Sequence, residues 1–229
     1  MSRRQDFKSG IKQAVPIIMG YLPIGIAYGL LAGKAELGII GTVLMSIFVY
    51  AGSSQLICIN MLGQNTGIFT IVMMTFVVNL RHLLMSASLS LNLKNTDRRI
   101  LPIAGFFITD ETFAVGSSSI EDYNHKGYFF LGLGLVSYLG WSLSSWLGAG
   151  LGNILPELNS SALDFVLPAM FIALLVLQLK NRLDILVAVI AGLLSLLFVQ
   201  ILPGNWNIIV ATVIAATVGV GIEKWMGNI

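Results

Sequence analysis

The chain has 229 residues, of which 56% are hydrophobic and only 10% charged, and its mean hydropathy is +0.85. A soluble domain carries about 25% charged residues, so this composition excludes a water-soluble protein and predicts an integral protein of the lipid bilayer. The net charge of +2 is too small to indicate a nucleic-acid partner. The single cysteine, Cys58, cannot form an internal disulfide.

The N-terminus carries Arg3, Arg4 and Lys8 ahead of an apolar stretch. The arginine pair is similar to a twin-arginine export signal. The stretch that follows contains Pro16 and Pro23, however, and has no clean small-x-small cleavage site. We therefore expect an uncleaved first helix whose positive flank stays in the cytoplasm.

Eight apolar segments can be drawn, most of them near the ~20 residues that a membrane-spanning helix needs. They cover residues 13–33, 38–63, 67–91, 100–119, 128–150, 162–180, 183–202 and 205–225. Long apolar runs without alternation favour helices over barrel strands. We predict an all-α membrane protein, a bundle of seven to eight transmembrane helices with some of them broken, in a single polytopic domain over residues 1–229.

Lysine and arginine counts give an orientation for this bundle. With the N-terminus inside and eight crossings, the inner side holds Arg3, Arg4, Lys8, Lys12, Lys126, Lys180, Arg182 and Lys224, and the outer side Lys34, Lys94, Arg98 and Arg99. This excess favours a cytoplasmic N-terminus. The loop at 92–99 still violates the rule, so seven crossings with one re-entrant early segment are the alternative. If 100–119 enters and leaves on one side, the later positions swap sides and the count reverses.

A weak internal repeat is visible. Residues 21–33 align with residues 138–150 at five identical positions, with an offset of 117, and Ser46 aligns with Asp164 at an offset of 118. Transporters are commonly built from two repeats with the site between them. The alignment predicts repeats at about 10–91 and 127–202, although biased composition also produces such matches.

The first segment contains Pro16, Gly20, Pro23 and Gly25. Two prolines and several glycines in one span predict a helix break that frees backbone groups. Freed groups are tolerated at membrane depth only when they are buried in protein or line a cavity. Close helix packing through the glycines is an equally weighted alternative.

The second segment carries a polar stripe that could line a path. It consists of Thr42, Ser46, Tyr50 and Ser53 on one helical face, followed by Ser54 and Gln55. Serine and threonine in membrane helices more often bond to backbone carbonyls or to neighbouring helices. Gln55 is the sharper candidate because a primary amide at depth needs several partners.

The third segment places Thr75, Asn79, His82 and Ser86 on one face, with Arg81 beside them. Arginine cannot deprotonate to escape the cost of burial, and its planar fork suits a carboxylate. Two interpretations stay open for Arg81, a structural ion pair with an acid of the fourth segment or a role in substrate binding or coupling. His82 could relay protons or make a helix contact.

The fourth segment contains the strongest site signal, Thr109, Asp110, Glu111 and Thr112, with polar groups on every side of one turn. A charge at bilayer depth costs roughly 2.5–3.5 kcal/mol, and such groups mark substrate or ion routes. A transporter is therefore the default hypothesis. Asp110 and Glu111 diverge by about 100°, so one can pair with Arg81 while the other binds an ammonium group or titrates.

The remaining polar and aromatic residues carry weaker signals. Asp164 is expected to cap the sixth helix, Asp184 to be interfacial, and the four tryptophans to be interface anchors or packing residues. The sequence has no Cys/His/carboxylate set spaced for a metal, no Walker-type loop and no serine elbow. We therefore expect neither an enzyme nor a cofactor; a passive channel, and less so a membrane-embedded enzyme, are the competing hypotheses.

Five motifs stand in order along nearly the whole chain. They are Pro16-Ile17-x-x-Gly20-Tyr21-x-Pro23-x-Gly25, Tyr50-Ala51-Gly52-Ser53-Ser54-Gln55, Asn79-Leu80-Arg81-His82, Thr109-Asp110-Glu111-x-Phe113 and Leu163-Asp164-Phe165. Each motif alone is short, but the ordered set is specific. In these motifs the chain resembles the AzlC/YgaZ family, the large subunits of bacterial branched-chain amino acid exporters.

The resemblance implies a permease of the bacterial cytoplasmic membrane that exports valine, leucine, isoleucine or close analogues. It also implies a small membrane partner of the AzlD type and energy from the proton gradient or membrane potential. A zwitterion needs a cation for its carboxylate and an anion for its ammonium group. We hypothesise that Arg81 and nearby helix termini bind the carboxylate, that Asp110 or Glu111 binds the ammonium group or exchanges a proton, and that Gln55 and Tyr50 orient the ligand. Asn79, His82, Ser53, Ser54 and Thr109 complete the predicted site.

Overall fold

A computed structural model describes residues 2–94, 96–154, 181–202 and 206–227, with a few single positions between 165 and 179. Its contacts divide the chain into two compact units, Met1–Leu167 and Pro168–Ile229. Regular structure in the described residues is helical, without strands, which confirms the all-α class. Most of the predicted sixth segment, Asp164 included, lies outside the described residues.

The first unit contains eight α-helices in its described residues. They are α1 (Arg3–Gln13), α2 (Val15–Lys34), α3 (Gly38–Phe48), α4 (Gly52–Gly63), α5 (Ile68–Asn92), α6 (Leu101–Phe106), α7 (Asp110–Ser119) and α8 (Lys126–Ile154), with a 3-10 turn at Ile120–Asp122. A capping box between Ser2 and Gln5 starts α1. Ala14 lies between the two helices, as the C-cap of α1 and the N-cap of α2.

The predicted break in the first segment is not seen at its prolines. Pro16 occupies the first turn of α2, where a missing N–H costs nothing, and Pro23 lies inside a helix that continues to Lys34. The interruption is at Ala14 instead. The alternative interpretation, close packing, fits the structure better, because Gly25 faces Ser144 and Gly29 faces the backbone of Ser145 on α8.

Helices α2 and α8 pack together in parallel. Contacts advance in the same direction along both chains, from Gly25 against Ser144 to Gly29 against Ala149. A Cβ atom at Gly29 would overlap the carbonyl oxygen of Ser145, and one at Gly148 the carbonyl oxygen of Ile26. Small residues therefore bring the two backbones together, as is typical of membrane helix pairs. The aligned segments of the predicted repeat lie on these two helices, and the repeat itself stays a prediction.

The second apolar segment, 38–63, is a broken hairpin. Helix α3 ends at Phe48 and α4 starts at Gly52. Helix α4 runs back antiparallel to α3, with the Gln55 amide donating to the Ser46 hydroxyl at 3.1 Å. It is also antiparallel to α5, because Ser53 contacts Arg81 whereas Ser54 contacts Asn79, which lies earlier on α5.

The fourth apolar segment, 100–119, is a second broken hairpin. Its start lies against the start of α8, since Gly127 packs on Thr96 and Ile100. Its end lies at the same end of the unit, where the Ser119 hydroxyl donates to the Gln13 side chain at 3.4 Å. Chain entering at residue 100 therefore returns to the end from which it came.

Both hairpins change the predicted topology. Three helices among the described residues are long and apolar enough to cross a membrane, namely Val15–Lys34, Ile68–Asn92 and Lys126–Gly152. The predicted crossings at 38–63 and 100–119 are not confirmed, because each segment consists of two short helices in the structure. Each of these segments starts and finishes at one end of the first unit, which is the re-entrant arrangement considered above for a single early segment.

The second unit contains a helical hairpin in its described residues. Helix α9 (Arg182–Phe198) is started by a capping box between Asn181 and Asp184, and α10 is Trp206–Gly227. The two run antiparallel, because Gly219 packs on Val187 whereas the buried Asn207 amide donates to the Ser195 hydroxyl at 3.1 Å. These helices match the predicted segments at 183–202 and 205–225.

Candidate functional site

The break in the first hairpin is formed around Tyr50. Its φ of 43° lies in the left-handed region, which costs a non-glycine residue about 1–3 kcal/mol and persists only where the surrounding packing enforces it. The ring is 3% exposed and lies edge-on to Tyr138 at 5.1 Å and near Phe106 at 6.0 Å. Aromatic packing from α6 and α8 therefore holds the chain in this turn. The predicted single stripe is thereby divided, with Thr42 and Ser46 on α3 and Ser53 on α4.

The break in the second hairpin is formed by Thr109. This residue is extended, with φ −130° and ψ 174°, and its side chain caps α7 in a capping box with Thr112. Asp110 and Glu111 form the first turn of α7, where carboxylates interact favourably with the helix dipole. The polar turn seen in the sequence is thus a helix start in which Thr109 and Thr112 are buried and the two carboxylates are partly buried.

Arg81 connects the two hairpins. Its Nη1 lies 2.7 Å from Asp110 Oδ2, and its Nη2 donates to the Ser53 hydroxyl at the start of α4. The side chains of Arg81 and Asp110 are 26% and 20% exposed, so the pair is accessible from outside the protein core. Among the described residues the buried Arg81 Nε has no hydrogen-bond partner. The predicted pairing of Arg81 with an acid of the fourth segment is therefore present, with a donor left over.

Glu111 points to a different partner. The Tyr21 hydroxyl on α2 donates to Glu111 Oε2 at 2.8 Å and lies 2.7 Å from the Thr109 hydroxyl. The Tyr50 hydroxyl is close to this group, yet in the described part of the chain it makes no hydrogen bond of normal geometry. The two adjacent carboxylates therefore diverge as the sequence predicts, one toward a cation and one toward hydroxyl groups.

Gln55 is engaged within the protein. It is fully buried, its amide nitrogen donates to Ser46, and its oxygen accepts from the Trp141 indole at 2.9 Å. Trp141 also lies 5.3 Å from the Tyr21 ring, edge-on. Of the two alternatives for the tryptophans, Trp141 is therefore a packing residue. Its bond to Gln55 ties α4 to α8 behind the ion pair.

The remaining predicted site residues occupy two positions. Ser54 donates to Asn79 at 2.6 Å, one step from the Ser53–Arg81 contact, so these residues belong to the same cluster. The hydrogen bond of His82 lies within its own helix, with its Nδ1 3.2 Å from the backbone oxygen of Asn79. The structure thus favours a local helix contact for His82. Asp184 lies in the second unit, in the α9 cap.

We call the residues around both breaks the central cluster. It comprises Tyr21, Tyr50, Ser53, Ser54, Asn79, Arg81, Thr109, Asp110 and Glu111. The cluster contains one guanidinium paired with the Asp110 carboxylate, a second carboxylate, Glu111, bonded to a hydroxyl group, and several further hydroxyl groups. In the described residues no three His, Cys, Asp or Glu side chains gather in a way that could hold a metal ion. This arrangement can bind a small molecule that carries both charges, and it can accept a proton at a carboxylate.

Sequence reasoning missed Tyr21, Tyr138 and Trp141 as parts of the cluster's surroundings. Tyr21 stands within one of the ordered motifs, and Tyr138 is its partner in the predicted repeat. Both facts could have identified these residues. Trp141 carried no such signal, because a tryptophan in an apolar segment is usually an interface anchor or a packing residue.

Apolar crossing helices, re-entrant hairpins and a charged cluster between them define an α-helical integral membrane protein. The sequence profile of the AzlC protein matches residues 16–155. The chain belongs to the AzlC family, as the five motifs predicted.

Named and unnamed relatives agree with this assignment. A membrane protein of Archaeoglobus fulgidus is 34% identical, over 86% of this chain and 87% of its own. The branched-chain amino acid transport protein AzlC of Bacillus subtilis is 29% identical, over 75% of this chain and 67% of its own. The inner membrane protein YgaZ of Escherichia coli is 27% identical, over 82% of this chain and 80% of its own. No solved structure matches this chain.

Proposed function

We propose that the protein is a secondary transporter that exports branched-chain amino acids such as valine across the cytoplasmic membrane, coupled to the proton gradient. The observation that carries this proposal is the partly accessible Arg81–Asp110 ion pair at the point where both re-entrant hairpins break. Transporter sites are typically formed where discontinuous helices start near the membrane midplane. The name of the Bacillus subtilis relative supports the substrate class.

The substrate carboxylate binds at the start of α4. Ala51 provides no side-chain cap there, so the first-turn N–H groups remain available as donors. The positive end of the helix dipole favours an anion at this position. Arg81 lies against Ser53 in the same turn and keeps its Nε free of partners among the described residues. Carboxylate binding at this turn therefore has both a helix terminus and a guanidinium.

The substrate ammonium group binds beside Asp110 and Glu111. Asp110 is paired with the Arg81 cation, whereas Glu111 accepts a hydrogen bond from a neutral group, the hydroxyl of Tyr21. Glu111 is therefore the carboxylate that can exchange a proton without breaking the ion pair. Tyr50 orients the ligand in this proposal, since its hydroxyl lies near those of Tyr21 and Thr109.

The re-entrant hairpins also support a cytoplasmic N-terminus. In the first unit, one end collects Arg3, Arg4, Lys8, Lys12, Lys94, Arg98, Arg99 and Lys126, whereas the other end has Lys34. The loop at 92–99, which violated the positive-inside rule under eight crossings, now lies at the basic end. Positive residues gather on the cytoplasmic side of membrane proteins, so we place this end in the cytoplasm.

A small membrane subunit of the AzlD type completes the transporter in this proposal. The test is uptake of labelled valine into proteoliposomes that contain the protein with and without this subunit, under an imposed pH gradient and without one. Accumulation against a gradient of valine that needs the pH gradient supports a secondary transporter. Equilibration that ignores the pH gradient indicates a passive channel. An absence of valine flux under every condition, in vesicles that contain folded protein, contradicts the proposal.

A further inference from the structure

A second polar cavity lies away from the central cluster, at the end of the first unit where α1 begins. It has a volume of about 330 Å³ and lies between α1, the loop at 93–100 and the start of α8. This volume falls at the lower end of the range for small-ligand pockets. Arg81, Asp110 and Glu111 are not among its lining residues.

The lining of this basic-end cavity is cationic. Arg3, Lys94 and Lys126 contribute three positive charges against the single carboxylate of Asp97. Asp97 is already used in part, since its Oδ1 accepts from the backbone N–H of Arg99 at 2.9 Å. Lys126 has an exposed partner in Glu121, and solvent screens such surface pairs strongly. The cavity therefore keeps an excess of positive charge.

Its walls are fixed in place from two sides. The Arg3 guanidinium lies 5.5 Å from the centre of the Tyr128 ring, in a cation–π contact. His125 is held by Asp6, which is fully buried. The Asp6 Oδ2 accepts a hydrogen bond from the backbone N–H of His125 at 2.9 Å and lies 2.9 Å from the ring Nδ1. A preorganised wall lowers the entropy cost of binding.

The position of the cavity along the helices indicates what binds there. Two of the long apolar helices meet it, α5 where it ends at Asn92 and α8 where it begins at Lys126. Such helix ends lie at the level of the lipid head groups. Basic pockets at this level and basic side chains near the membrane surface attract anionic lipids. The amides of Asn92 and Asn124 in the lining add neutral donors for phosphate oxygens.

We propose that the basic-end cavity binds a phosphate group, carried by an anionic phospholipid head group or free in solution, with Arg3 and Lys94 as its main ligands. The bound anion joins the N-terminal helix α1 to the α5–α6 loop and to α8. It thereby stabilises the first unit at the end where the second hairpin enters and leaves. This proposal does not depend on the transported substrate.

The test is a titration of the purified full-length protein in detergent with phosphatidylglycerol, phosphatidylcholine or inorganic phosphate, followed by the unfolding temperature. We expect phosphatidylglycerol to raise Tm and phosphatidylcholine to leave it unchanged. Each basic residue near a membrane surface contributes about a fivefold change in affinity. Arg3→Gln and Lys94→Gln should therefore each raise about fivefold the phosphatidylglycerol concentration at which Tm rises. Lys34→Gln, at the opposite end, is the matched control and should respond as the parent does.

The arms of the titration separate the sources of the phosphate. A response to phosphatidylglycerol alone assigns the site to a lipid head group, and an equal response to inorganic phosphate assigns it to a free anion. In either case the rise in Tm should disappear at high salt, which screens exposed charges. If neither ligand raises Tm, or if the Arg3→Gln/Lys94→Gln double variant responds like the Lys34→Gln control, the proposal is wrong.

Discussion

Arg81 on α5 and Asp110 at the start of α7 form an ion pair of 2.7 Å that joins two hairpins which enter the first unit from opposite ends. Each hairpin starts its returning helix at this pair, α4 through Ser53 and α7 through Asp110 itself. A change in this one contact can therefore affect both hairpins together. Alternating access needs some element with two arrangements around a fixed site, and this contact is our candidate.

Removing either charge of the pair should reduce valine transport. Arg81→Gln or Asp110→Asn leaves a partly buried charge without its partner, at a cost of about 1–2 kcal/mol, between the values for exposed and buried pairs. We therefore expect a loss of about 5- to 30-fold in transport rate, measured in proteoliposomes at equal protein content. Thr75→Val is the control on the same helix, because the Thr75 hydroxyl donates to backbone oxygens of its own helix, those of Ile71 and Val72. Parent rates in both charge variants would contradict the assigned roles.

Glu111→Gln should separate proton coupling from substrate exchange. The amide cannot carry a proton in exchange, yet it keeps the size of the side chain and an acceptor for Tyr21. We expect valine counterflow, which needs no net proton movement, to continue. Uptake driven by a pH gradient should fall to the level seen in vesicles without a pH gradient. Asp110→Asn should lower both activities. Gradient-driven uptake that survives in Glu111→Gln would transfer the proton-exchanging role to another group.

The sequence predicted the composition of the central cluster better than its geometry. Arg81, Asp110 and Glu111 were identifiable because a charge in an apolar segment is costly wherever it lies, a property of the residue and its neighbours alone. Their pairing also followed, since few opposite charges were available. The left-handed turn at Tyr50 was not predicted, because it depends on rings from other segments.

The predicted number of crossings is not confirmed, for a related reason. Segment length alone cannot distinguish one helix from two short helices that turn back at depth, as in 38–63 and 100–119. The basic loop at 92–99 was the signal against eight crossings, because it lay on the unfavourable side of the membrane under that interpretation. The prolines of the first segment misled in the opposite direction, since Pro23 is accommodated within a continuous helix.

Trp141→Phe should destabilise the protein more than Trp146→Phe. The first change removes the indole donor to Gln55 Oε1, and a buried acceptor left unsatisfied costs about 1–3 kcal/mol. Trp146 is 52% exposed and serves as the control. The measurement is thermal unfolding in detergent followed by tryptophan fluorescence or by size-exclusion chromatography after heating. Equal melting temperatures for the two variants would show that the Gln55 contact contributes little to stability.

Gly29→Ala should have the opposite effect to Gly20→Ala. Alanine in place of a helical glycine normally adds about 1 kcal/mol of helix stability, and at Gly20 a Cβ meets no neighbour within 4 Å. At Gly29 the added Cβ overlaps the backbone of Ser145 and forces α2 and α8 apart. We therefore expect a higher Tm for Gly20→Ala and a lower Tm for Gly29→Ala. A raised Tm in both variants would mean that the α2–α8 contact is looser than described.

Cysteine labelling distinguishes the re-entrant topology from eight crossings. In a Cys58→Ser background, single cysteines at Glu36, Gln64 and Arg98 report which side of the membrane each loop occupies. Eight crossings place residues 36 and 64 on opposite sides. The two hairpins place them together, because α3 and α4 start and finish at the same end, and they place residue 98 on the other side with the N-terminus.

The reagent for this experiment is a membrane-impermeant maleimide applied to intact cells and then to lysed cells. We expect cysteines at 36 and 64 to react in intact cells and the cysteine at 98 to react only after lysis. That pattern follows from two inferences, the hairpins and the cytoplasmic basic end, and the outcomes separate them. Reaction of 98 alone in intact cells keeps the hairpins and inverts the orientation. Different accessibility of 36 and 64 would overturn the hairpin at 38–63, and with it the meeting of two helix starts at Arg81.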